Sequence, residues 1–164
     1  MKKFMTVMFL TTFNLFAHAN VKDQQGQMAS KIHQQDQIEI TTSQWALEKS
    51  SNINVLQYAQ RTIKNHQHSN IILKKLSEAE EFTLNENFAS PRMRELEFLT
   101  GEEFDLQYTQ FMIDLHADFI NEMDHSLLVS YTPSTIESFI HLIYTRVQSG
   151  HEKAINLKNL LNSK

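Results

Sequence analysis

Apolar positions recur at three- and four-residue steps along most of the chain, which is the period of an amphipathic helix. From about Ser30 to Ser50, Ile32, Glu39, Ser43 and Ala46 fall near one stripe, flanked by Ile40, Trp45 and Leu47. A second helix is predicted over about Ile53 to Ala79, capped by Ser51 or Asn52. Its stripe is Leu56, Ala59, Ile63, His66, Asn70 and Leu73. A third opens at "TGEEFD", where Thr100 and Glu103 match a capping box, and runs to about Ser130. Phe104, Tyr108, Phe111, Leu115 and Phe119 form its stripe, with Met112, His116 and Met123 beside it. A fourth opens at "YTPST", where Thr132 caps and Pro133 suits the first helical position. Its stripe is Ile136, Ile140, Ile143, Val147, His151 or Gly150, Ala154 and Leu157.

The break between the first two helices is short, which makes them antiparallel neighbours. Residues 80–100 form a longer connection, with a turn at Ser90-Pro91 and a short helix over Met93 to Leu99. Glycine and proline are scarce, at three and two residues, so little punctuates the helices. The expected fold class is all-α: a four-helix bundle of two antiparallel hairpins.

The N-terminus changes the picture. Lys2 and Lys3 precede the apolar run "FMTVMFLTTFNLF", and Ala17-His18-Ala19 follows as an A-x-A cleavage pattern. Residues 1–19 therefore read as a signal peptide, too short in its apolar part to span a bilayer. Residues 20–35 read as a polar, Gln-rich lead-in, and 36–164 as the bundle domain. The expected location is periplasmic or secreted, with no transmembrane segment after cleavage. The chain has no cysteine, so it has neither disulfides nor thiolate ligands. Its formal charge is −4 and becomes more negative once Lys2 and Lys3 are removed. Nucleic acid is not expected as a partner, because phosphate backbones select a basic face.

Against this apolar background, a few polar residues sit on the inward stripes. Each long helix contributes one that is able to ligate a metal: Glu39, His66, His116 and His151. A helix rises about 1.5 Å per residue. Counted from the hairpin turns, Glu39, His66 and His116 lie roughly 18–22 Å along and His151 roughly 30 Å. A buried imidazole or carboxylate needs a partner. These residues either converge on a metal or hydrogen-bond within the core, and spacing does not choose between the two. His68 lies about 200° around the helix from His66, so "HQH" is not a chelating pair. No phosphate loop and no Ser-His-Asp order is present.

The stretches "EITTSQWALEKSSNINVLQYAQRTIKNH" and "GEEFDLQYTQFMIDLH", with a last His151 followed by Ala154, resemble the domain-of-unknown-function 4142 family of exported bacterial proteins. The resemblance spans about Asp36 to Leu161. It implies a ferritin-like four-helix bundle and assigns no reaction. Glu39, His66, His116 and His151 fall at positions where the family shows Glu and His. Asn65 and Leu115 stand where the family often has Asp, and Thr145-Arg146 where it often has Leu-Pro. Di-iron bundles place Glu three residues before a ligand His. Here Ile63, Ile113 and Gln148 occupy those places, so iron oxidation is not expected.

The expected protein is a non-catalytic envelope protein with a His/Glu metal site, or a relict polar one, inside the bundle. A divalent transition metal such as zinc suits imidazole ligands. The alternatives are a metal-free structural or interaction module and, after it, an enzyme using metal-bound water or dioxygen.

Overall fold

The computed structural model describes residues 3–88, 90–127 and 135–163, with side chains described for 23–88, 90–124 and 135–163. Helix α1 spans Lys3–Lys49, α2 Ile53–Glu80, α3 Pro91–Glu97, α4 Gly101–Leu127 and α5 Thr135–Asn162. There is no strand among the described residues. The chain is all-helical, as the periodicity predicts. The expected Thr132-Pro133 start of the last helix lies outside the described residues.

Local chemistry sets the ends of α2. Asn52 caps it, its side-chain oxygen accepting the Asn54 N–H at 3.0 Å. At its other end Glu81 takes a left-handed backbone, φ 57°, and its N–H returns to the Ser77 carbonyl. Pro91 begins α3, where a missing N–H costs nothing. Lys49 then donates to the Leu96 carbonyl at 3.0 Å, tying the end of α1 to α3.

Helix α1 lies along α2 and α4 along α5, so two hairpins form. Each hairpin also touches the other through α1–α4, α1–α5 and α2–α5 contacts. The core between them has two apolar ends. One gathers Ala46, Val55, Ala59, Phe104, Tyr108, Met112, Ala154 and Leu157. The other gathers Ala29, Ile32, Leu73, Phe119, Met123, Ile140, Ile143 and Val147. Between these two sets α1, α2 and α4 bury a polar layer: Asp36, Glu39, Thr42, Ser43, Thr62, Ser69 and His116. Burying such a layer costs free energy unless its groups find partners, so the partners decide what it is for.

Two sequence expectations shift. Met28, Ala29 and His33 are buried, although residues 20–35 were expected to form a polar lead-in. The glutamines hide this, because the helix buries one face only. Hydrogen bonds hold two of its polar groups: His33 Nδ1 meets Asn70 Oδ1 at 2.9 Å, and Ser30 donates to the Thr83 carbonyl at 3.1 Å. On α2 the buried face is Val55, Ala59, Thr62, Ser69 and Leu73, while Leu56 and Ile63 are only partly covered. The polar layer placed Thr62 and Ser69 inside, which an apolar stripe does not reveal.

Candidate metal centre

Glu39 sits on the inward face of α1 with its carboxylate fully buried. One of its oxygens, Oε2, lies 2.9 Å from His66 Nε2 on α2 and 3.1 Å from His116 Nε2 on α4. The other, Oε1, accepts from Gln35 Nε2 at 3.2 Å, one helical turn away. One ligand atom from each of Glu39, His66 and His116 lies within 4.8 Å of the other two. Three helices thus bring three metal-ligating groups to one point in the polar layer.

Asp36, one turn before Glu39 on α1, holds the far side of His66. Its Oδ1 lies 2.6 Å from His66 Nδ1. A carboxylate here accepts the Nδ1–H, which leaves Nε2 aimed at Glu39 and fixes the ring. This is the outer partner that metal-bound histidines commonly have. Nε2 of a neutral ring with its proton on Nδ1 is an acceptor, and so is the Glu39 carboxylate. At 2.9 Å, two acceptors need a cation between them, either a proton or a metal.

The electrostatics favour a proton when no metal is bound. Burial alone would lower the His66 pKa. The charge of Glu39 and the hydrogen bonds that His66 donates to Asp36 and Glu39 outweigh it and raise the group to about 10. Burial likewise opposes ionisation of Glu39. The His116 and His66 imidazoles overcome this and hold Glu39 well below the usual carboxylate range. Asp36 moves the other way: burial raises it, only partly offset by His66. A buried Glu39 anion shared by two imidazoles is thus the resting arrangement. His116 Nδ1 is buried and has no hydrogen-bond partner.

His151 does not join the group. The residue of α5 that faces His116 is Gly150: a Cβ built there would fall 3.0 Å from His116 Cε1 and 3.1 Å from Nε2. Helix α5 therefore reaches the level of the site, and the rise along the helix is not the obstacle. The next residue is rotated about 100° around the axis, which turns His151 away. Gly150 is present because its missing side chain makes room for the imidazole.

Two groups escaped the sequence reading. Asp36 had a signal: it stands three residues before Glu39, on the same face of one helix. His33 had a weaker one, three residues before Asp36. His68 is exposed, as the helix period requires. Tyr108 is core, its hydroxyl 2.8 Å from Ser43 Oγ.

A cavity of about 70 Å³ opens beside the centre, between α2 and α5. His66, His116, Asp36 and Gly150 line it. It is large enough for roughly five waters, at about 15 Å³ each. His66 and His116 thus have an unfilled side from which a further ligand can approach.

A family model described as a domain of unknown function (DUF4142) matches residues 13–157. No curated protein matches the chain. No solved structure matches it either. With the match covering most of its length, the chain belongs to the DUF4142 family.

Proposed function

We propose that this is an exported, non-catalytic envelope protein whose ferritin-like four-helix bundle binds one divalent transition metal ion, zinc or an ion of similar preference. The carrying observation is the convergence of Glu39, His66 and His116 in a buried layer, with Asp36 anchoring the second nitrogen of His66. Ligands with bonds of 2.0–2.1 Å in a tetrahedron stand about 3.3 Å apart. The observed 2.9 and 3.1 Å contacts need to open by only a few tenths of an ångström. Nitrogen ligands with a single carboxylate suit zinc and its neighbours rather than calcium or magnesium. The basic start, apolar run and Ala17-His18-Ala19 pattern support export. No helix among the described residues is long and apolar enough to cross a membrane.

Metal analysis of the protein purified from its own compartment, beside His66→Ala and His116→Ala, tests the reading. Near-stoichiometric metal in the parent and its loss in both variants supports the centre. Equal, substoichiometric metal in all three overturns it. A metal-free reading has its own observation: a protonated His66 bonds one oxygen of Glu39 and one of Asp36 without any metal. It gives the second of these outcomes.

A further inference from the structure

The cavity beside the centre has a second chemical character. Arg61 on α2 and Arg146 and Lys153 on α5 line it. Arg146, Gly150 and Lys153 are four and three residues apart, so they share one face of α5. Arg61 and Asn65 stand on α2 in the same way, with Ser69 a further turn on. None of the three cations has an ion pair or hydrogen bond among the described residues. The chain has 19 acidic side chains against 15 basic ones, so acids were at hand to pair them. The one acid in the lining, Asp36, is already committed to His66 at 2.6 Å. Like charges gathered around one opening repel each other, and an anion between them relieves the repulsion. Deeper in, the cavity ends on His116, which is 2 % exposed and whose Nδ1 has no partner.

We infer that this cavity is a binding site for a tetrahedral phosphate dianion, free or as the phosphomonoester end of a larger molecule. Two guanidinium groups and an ammonium at the mouth match three phosphate oxygens, and guanidinium groups bind such oxygens in pairs. Asn65 and Ser69 add neutral polar groups on the α2 side. The volume, about 70 Å³, is that of roughly one such ion. None of the three cations is among the metal ligands, so the inference stands apart from the metal reading.

Calorimetric titration of the purified protein with inorganic phosphate, with and without a chelator, tests it. The expected result is saturable binding of one phosphate that survives chelation. The Arg61→Gln/Arg146→Gln double variant should weaken it about tenfold or more. Lys64→Gln, an exposed control outside the cavity lining, should leave it unchanged. No saturable binding, or equal binding by the double variant, overturns the site. Binding abolished by chelation assigns the phosphate to the metal instead and also overturns it. Sedimentation with vesicles containing phosphatidic acid, a lipid phosphomonoester, separates the sources. Retention that inorganic phosphate competes away supports a lipid phosphate in the cavity. Retention without any phosphate binding overturns the cavity in favour of general surface attraction.

Discussion

Gly150 on α5 lies against the imidazole of His116 on α4, so closely that a Cβ at position 150 would stand 3.0 Å from His116 Cε1. That ring is buried and its Nε2 is bonded to Glu39 at 3.1 Å, so yielding by a few tenths of an ångström would disturb that bond. A glycine inside a helix costs about 1 kcal/mol relative to alanine, so Gly150→Ala would ordinarily stabilise α5. Here it should not. The expected outcome is no gain in urea-denaturation stability and a metal affinity lower by about tenfold. Competition with a chromophoric chelator measures the second effect. A stabilised variant with unchanged affinity would show that the close approach has no role.

Asp36→Asn tests the outer partner of His66. The amide neither matches the charge of the carboxylate nor reliably accepts the Nδ1–H. Loss of such a partner lowers metal affinity by roughly 10–100-fold in comparable sites. The fold should survive, because burial already disfavours the Asp36 charge. Far-UV circular dichroism checks the fold and chelator competition the affinity.

Glu39→Gln should be costly in the metal-free protein. It leaves the His66 charge in the core with its main counterion gone. Breaking a buried pair in this way costs about 3–5 kcal/mol. Urea denaturation of the variant beside the Glu39→Gln/His66→Gln pair would show a smaller loss in the double variant than the sum of the singles.

His151→Ala should leave metal content and affinity unchanged, because His151 is not in the group. Lost metal in this variant would put His151 back among the ligands. It would also contradict the observed rotation of α5.

The metal-free protein should be most stable between about pH 4.5 and 6.5. His66 is raised from 6.5 to about 10, so its contribution is complete below 6.5 and fades as pH rises to 10. Glu39 is lowered from 4.5, so its contribution is complete above 4.5 and is lost as pH falls through its folded value. Asp36 is raised from 3.8, which costs stability above that value and works against the alkaline side. Stability should therefore decline from pH 6.5 toward 10 by at most about 1.4 kcal/mol per pH unit, one proton's worth. Denaturation midpoints across that range measure it, and a flat profile would remove the Glu39–His66 pair as a source of stability.

The helices were readable because burial leaves a period in the sequence. Ile32, Glu39, Ser43 and Ala46 lie on the predicted stripe of α1 and all are buried. Glu39, His66 and His116 stood out for the same reason: a polar residue on an apolar stripe breaks the pattern. Asp36, Thr62 and Ser69 were not visible in this way. The layer is polar on several positions at once, and its face no longer differs from a solvated one.

Composition and periodicity are local, and they pointed to the all-helical class, to the start of α2 after Asn52, and to Glu39, His66 and His116, the three candidates that the structure brings together. How two hairpins rotate against each other is not local. A turn of about 100° on α5 decides whether His151 or Gly150 meets His116, and a linear pattern does not specify that angle. Packing of the two apolar ends fixes it. With the rotation fixed, Arg61, Arg146 and Lys153 come from distant parts of the chain to one cavity beside Glu39, His66 and His116.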